Sequence, residues 1–254
     1  MEHWHRSGQA LLNEISSTRL PTSQLAVWAI GQCGFIFKYE DTVVCIDPVL
    51  SDLTGPSGSR RCYPAPFAPE ALRADLVLCT HGHADHMAKD TLRGLARHHA
   101  AHPEHILDAG DPGMALGYQL TFGGFTVVHL GDTYLTPHLY ETLQALPRPD
   151  LLLAPINGQD FFRTQRNCIG NLEAEEAAQL AVRLGAACTI PTHYDMVQGN
   201  TVDPLRFAAA LRQLDPAACF ALPALGERLL FQADAGRKDS SVFSCPPPSS
   251  SIQR

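Results

Sequence analysis

A chain of 254 residues with 45% hydrophobic side chains suits one α/β domain of ordinary upper size around a sizeable core. Its formal charge of −7 argues against an extended nucleic-acid footprint, yet leaves room for a small anionic substrate held by one or two arginines. No apolar run approaches the ~18 residues of a membrane span, and residues 1–18 lack the apolar stretch of a secretory leader; the expected setting is the cytoplasm, without a membrane partner.

In chain order, residues 24–30, 34–39 and 42–47 read as three short strands, with turns at 31–34 and 40–41. Residues 48–69, rich in Pro, Gly and Ser, read as a long surface loop. A buried strand at 75–80 follows, then a histidine-rich loop and a helix over 88–101. Strands 118–122 and 125–130 flank Gly123-Gly124, a hairpin signal. From there helices (137–145, 173–184, 204–214) alternate with strands (150–155, 186–191), and two short strands, 218–222 and 228–232, close the domain. In the second of these helices Ala177, Leu180, Ala181 and Leu184 recur at three and four residues, giving one packing face. The domain is placed at 1–233. The Ser- and Pro-rich remainder, 234–254, is expected to be a disordered tail. Eight cysteines form no C-x-x-C pair, and several sit in apolar strand-like runs, so reduced thiols are expected.

The chemistry concentrates in Thr80-His81-Gly82-His83-Ala84-Asp85-His86, an H-x-H-x-D-H pattern. Residues two apart on a helix point to roughly opposite sides, so one helical face cannot gather all four side chains. A loop leaving a strand can, and imidazoles with a carboxylate suit Zn²⁺ or a similar ion. Two further strands end on ligand-type residues: Gly131-Asp132-Thr133 after 125–130, and Pro191-Thr192-His193-Tyr194-Asp195 after 186–191. Ligand sites gather beyond the C-terminal ends of strands in α/β folds.

Together these stretches resemble the metallo-β-lactamase-fold hydrolases, and within them the ascorbate-6-phosphate lactonase family. The similarity extends to Trp28-Ala29-Ile30-Gly31-Gln32-Cys33-Gly34-Phe35, to Ile46-Asp47-Pro48 and to the segment Ile156–Asp160 with Arg163, Asn167 and Gly170-Asn171. It implies an αββα sandwich and one or two divalent ions, Zn²⁺ or Mn²⁺. His81 and His83 would bind the first ion, Asp85, His86 and His193 the second, and Asp132 would bridge them. Asp47 would brace the metal loop, with Thr133 and Tyr194 as further supports. Only 51 positions separate His81 from Asp132, short for the family, so the fold is expected to be abbreviated there, with Asp108 the favoured substitute for a further first-site ligand. Asn157, Arg163 and Asn167 are expected to meet substrate, and Arg60 to clamp a phosphate or carboxylate.

The implied reaction is hydrolysis, by metal-activated hydroxide, of a lactone or related ester of a small polar substrate, with or without a phosphate. Lowering the pKa of water from 15.7 to about 7 favours hydroxide by roughly 12 kcal/mol, which a metal-free carboxylate base does not match at neutral pH. Asp85 would assist proton transfer. No G-x-S-x-G elbow or evident Cys/His pair supports covalent catalysis. The alternatives are a phosphodiesterase or nuclease on the same fold, and a degenerate, non-catalytic metal-binding member. The partner is a small-molecule substrate rather than nucleic acid, and self-association is left open.

Overall fold

The computed structural model describes residues 3–53, 59–96, 115–165 and 170–233. Its framework is two sheets lying face to face. The first has the order β4-β3-β2-β1-β9, built from β1 (Gln24–Gly31), β2 (Gly34–Tyr39), β3 (Thr42–Ile46), β4 (Leu76–Leu78) and β9 (Arg228–Gln232). The second runs β5-β6-β7-β8: Tyr118–Phe122, Phe125–His129, Leu151–Pro155 and Cys188–Thr192. Neighbours are antiparallel except β3–β4 and the run β6–β7–β8, which are parallel.

Strand alternation fixes the layers. Val27, Phe35, Phe37 and Ile46 of the first sheet meet Phe125, Val127, Leu151 and Ile190 of the second in the central core. The opposite face of the second sheet, with Val128, Leu152 and Ala154, packs against α5 (Ala174–Leu184) and α6 (Leu205–Leu214) through Ala177, Leu180, Ala181, Phe207 and Leu211. α3 (Pro137–Ala145) adds Leu143 to that layer. The outer face of the first sheet, with Ala26, Trp28, Ile36 and Cys45, is covered by α1 (Gly8–Ser17) and α2 (Lys89–Ala96) through Leu11, Ile15 and Leu95. Helix, sheet, sheet, helix is the predicted αββα order.

The helices end where their sequences dictate. Glu173 and Glu176 form a capping box at the start of α5, and Gly185, left-handed at φ 62°, closes it. α1 terminates on a side chain from another element: the buried Lys38 of β2 donates to the carbonyls of Ile15 (2.8 Å) and Ser16 (3.2 Å).

Three expectations need revision, and two helices are additions. The strand at 75–80 is a three-residue edge strand with Leu76 exposed, because its pairing is to β3 on one side only among the described residues. The loop after β3 is no free surface excursion, since Val49, Leu50, Tyr63 and Phe67 are buried. Residues 218–222 supply only an isolated bridge, Phe220 to Thr189. α1 and the short α4 (Phe161–Gln165) have no counterpart in the sequence reading. The proposed tail, 234–254, lies outside the described residues. The six cysteines within them are free thiols, and no helix among them is long and apolar enough to cross a membrane.

Candidate metal centre

Four strand ends converge. β3 delivers Asp47, β4 the loop His81–His86, β6 Asp132 and β8 His193. The approach is close: a Cβ on Gly131, which has φ 63°, would lie 2.9 Å from the Cβ of Thr80, so glycine lets the two loops meet. Asp47 (φ 45°), His193 (φ 60°) and Gln32 (φ 57°) all occupy the left-handed region. Each such non-glycine residue costs on the order of 1–3 kcal/mol, tolerated where the surroundings over-determine the conformation.

Asp132 is the hub. Its Oδ1 lies 3.3 Å from His86 Nε2 and 3.1 Å from His193 Nε2, while its Oδ2 lies 3.7 Å from His81 Nε2. Asp85 Oδ2 completes the second group at 3.5 Å from His193 Nε2 and 3.7 Å from His86 Nε2. His83 Nδ1 sits 2.8 Å from His81 Nε2. Ligands bonded tetrahedrally at 2.0–2.1 Å are about 3.3 Å apart, so the second group is already spaced for a divalent ion. His86 Nε2 and Asp132 Oδ1 are buried without a hydrogen-bond partner, as atoms reserved for a cation would be. The donor set therefore fits the ion it was expected to hold.

A bracing layer orients these donors. Asp47, fully buried, accepts from the Thr80 amide (2.7 Å) and hydroxyl (2.7 Å) and pairs with His86 Nδ1 at 2.8 Å, leaving Nε2 to face Asp132. Gln32, in the β1–β2 turn, donates through Nε2 to Asp85 Oδ2 (2.7 Å), and its carbonyl accepts the His193 amide (2.9 Å). The Gln32 amide in turn donates to Asp195 Oδ1 at 2.9 Å. Buried His129 links the Cys33 carbonyl (2.9 Å) with the Gly131 amide (3.1 Å).

Electrostatics follow this placement. Burial opposes charge on His193, but Asp132 and Asp85 facing it prevail and raise it to about 9. His86 is raised in the same way against its burial, by Asp132, Asp85 and Asp47. Burial would raise Asp85 and Asp132, yet the histidines hold both below the ordinary carboxylate range. Burial and then neighbouring His86 lower His81 to about 4, so its nitrogen is free of a proton at neutral pH.

Protons and a divalent ion compete for His86 and His193. We expect Zn²⁺ affinity to rise as pH climbs from about 6 towards 9, with protons released on uptake, read by calorimetry in buffers of different ionisation enthalpy. A pH-independent affinity would contradict the assignment. In metal-free protein the stability contributed by His193 is present below 6.5 and lost as pH rises through about 9. That contributed by Asp85 is present above 3.8 and lost as pH falls through its depressed value.

The other expected residues separate into two groups. Thr133 lines a cavity of about 690 Å³ that opens beside His81, His83 and Asp132, and its amide donates to Asn171 Oδ1 at 2.6 Å. Asn157 instead joins a chain of amides, accepting from Asn171 (2.8 Å) and donating to Asn200 (3.1 Å). The Arg163 guanidinium is spent on Asp160, Asn200 and the carbonyls of Asn157 and Gly158, so it fastens this loop instead of reaching into the cavity. Arg60 does not line the cavity, and adjacent Arg61 is turned inward onto the carbonyls of Val49, Ser51 and Tyr63. The Tyr194 ring packs against the apolar layer of α5 and α6; neighbouring Asp195 makes the bracing contact. Asp108 and Asn167 lie outside the described residues. Gln32 lies in a stretch that carries the family resemblance, but a turn between hydrophobic strands has no periodic signal that would assign it this bracing role.

A family profile described as a beta-lactamase superfamily domain matches residues 94–194. Igni18, a metallo hydrolase from Ignicoccus hospitalis, superposes with a TM-score of 0.62 at 19% identity, covering 83% of this chain and 100% of its own. An isothiocyanate hydrolase from Delia radicum gut bacteria gives 0.63 at 18%, covering 82% and 100%. These establish the metallo-β-lactamase fold. The family is narrower: a UPF0173 metal-dependent hydrolase of Methanoregula boonei is 30% identical over 208 residues, covering 65% of this chain and 89% of that relative. The chain belongs to the UPF0173 family of metal-dependent hydrolases.

Proposed function

We propose that this hydrolase opens a lactone or related carboxylic ester of a small, unphosphorylated substrate, with His81, His83 and Asp132 holding one divalent ion and Asp85, His86, Asp132 and His193 a second. The observation that carries this reading is two donor groups sharing Asp132, of which His81, His83 and Asp132 itself line a single cavity. Its volume of about 690 Å³ lies within the range of small-molecule sites. The described residues lining it include Val128, Leu130, Leu139 and Leu143 but no Lys or Arg. Among the described residues the wall thus offers apolar contact rather than a cationic clamp, which suits an uncharged acyl compound. The net charge of −7 disfavours a phosphodiesterase acting on nucleic acid.

A divalent ion bound here supplies Lewis acidity, polarising a carbonyl and making hydroxide accessible at neutral pH. The chain's own groups do the rest. Asp85, kept ionised by His86 and His193, accepts at Oδ1, the oxygen not turned to the ion, the proton of the attacking water and returns it to the departing alkoxide as the acyl C–O bond breaks. Gln32 Nε2 fixes the direction of that carboxylate. The Thr133–Asn171 contact holds the cavity wall beside Asp132.

Chelation should abolish turnover of a lactone and ester panel, and added Zn²⁺ or Mn²⁺ should restore it. Full activity in metal-free protein, or cleavage of phosphodiesters with no action on lactones or esters, would overturn the proposal.

A further inference from the structure

We propose that the Cys33 thiol is a donor of the second group, so that the ion among His86, His193 and Asp132 is bound through sulfur as well. The inference rests on the hydrolase reading only in taking this pocket to hold a divalent ion. Cys33 Sγ and one donor atom each from His86, Asp132 and His193 all lie within 4.8 Å of one another. With a metal–sulfur bond of about 2.3 Å and metal–nitrogen bonds of about 2.05 Å, donors of one shell stand roughly 3.5 Å apart, so a small contraction closes it. The unsatisfied His86 Nε2 and Asp132 Oδ1 point independently to a cation in the same space.

Packing alone does not account for this thiol. Cys188, also fully buried, belongs to the central core and Cys45 to the outer face of the first sheet; Cys33 belongs to no apolar cluster among the described residues. Among the described residues its Sγ makes one hydrogen bond, donated to Thr192 Oγ1 at 3.6 Å. Its backbone is pinned instead: the Cys33 carbonyl accepts from His129, and the adjoining Gln32 is bonded to both His193 and Asp195. The turn is thus fastened to the loop after β8 with the sulfur facing the histidines. A thiolate makes the site softer, favouring Zn²⁺ or Cd²⁺ over Mn²⁺ or Mg²⁺.

Cd²⁺ titrated into the metal-free full-length chain should raise an ultraviolet sulfur-to-metal charge-transfer band in step with binding. The band should vanish in Cys33→Ser and persist in Cys62→Ser. Cys33→Ser should weaken Cd²⁺ about 10-fold or more and leave Mn²⁺ affinity nearly unchanged. Zinc-edge X-ray absorption on the wild type, which needs no variant to fold, should find one sulfur at about 2.3 Å. Stoichiometric Cd²⁺ without the band, a band that survives Cys33→Ser, or a zinc shell of nitrogen and oxygen alone would overturn the thiolate and leave the hydrolase reading standing. Failure to bind any divalent ion would remove both.

Discussion

Asp132→Ala is expected to empty both donor groups at once and to cut turnover at least about 10²-fold, the scale on which whole catalytic interactions act. The reason is geometric. Oδ1 faces His86 and His193 while Oδ2 faces His81, so one carboxylate is common to two histidine sets that do not otherwise share a donor. Asp132→Asn keeps the shape but removes the charge, and should recover little of the binding. The raised value of His193 should fall in the same variant, since Asp132 is the leading influence holding it up. Elemental analysis, turnover on the ester panel and histidine titration by NMR check the three parts. Wild-type metal content in Asp132→Ala would refute the bridging role.

Asp47→Ala should be the most destabilising change near the site, although Asp47 does not line the cavity. Its carboxylate is fully buried and receives the Thr80 amide, the Thr80 hydroxyl and His86. Removing it strands those groups in the interior, which costs about 3–5 kcal/mol by analogy with other broken buried pairs. For a domain of this size that corresponds to a fall in Tm on the order of 10 °C. Alanine also tolerates φ 45° poorly, whereas asparagine accepts the left-handed region, so Asp47→Asn should recover part of the loss. Metal affinity should drop about 10- to 100-fold even where the fold survives, because His86 loses the bond that orients it. Thermal melts of metal-free protein separate the two effects; an unchanged melt in Asp47→Ala would count against the bracing role.

What could be read from the sequence was whatever repeats locally or ends a strand. The strands of both sheets, the helices over 137–145 and 173–184, and the placing of His81, Asp132 and His193 at strand ends all follow from short-range pattern. α1 escaped because its stabilisation is tertiary: only Leu11 and Ile15 are buried, and its C-terminal carbonyls depend on Lys38, more than twenty residues away. Arg163 drew attention as a cation near the expected site, but nothing in its neighbours announces that Asp160 and two carbonyls already claim it. Gln32 and Cys33 look like ordinary turn residues until β1 and β8 are brought together in space.

The histidine and aspartate donors of the centre span residues 81 to 193, and the proposed thiolate and the braces reach back to the turn at Gln32 and Cys33. Because these groups meet only where separate strand ends are packed together, metal occupancy is linked to folding. Once free metal exceeds its dissociation constant, each further tenfold excess deepens the native well by about 1.4 kcal/mol. Cellular metal supply would thereby govern how long the polypeptide survives proteolysis as well as how fast it turns over.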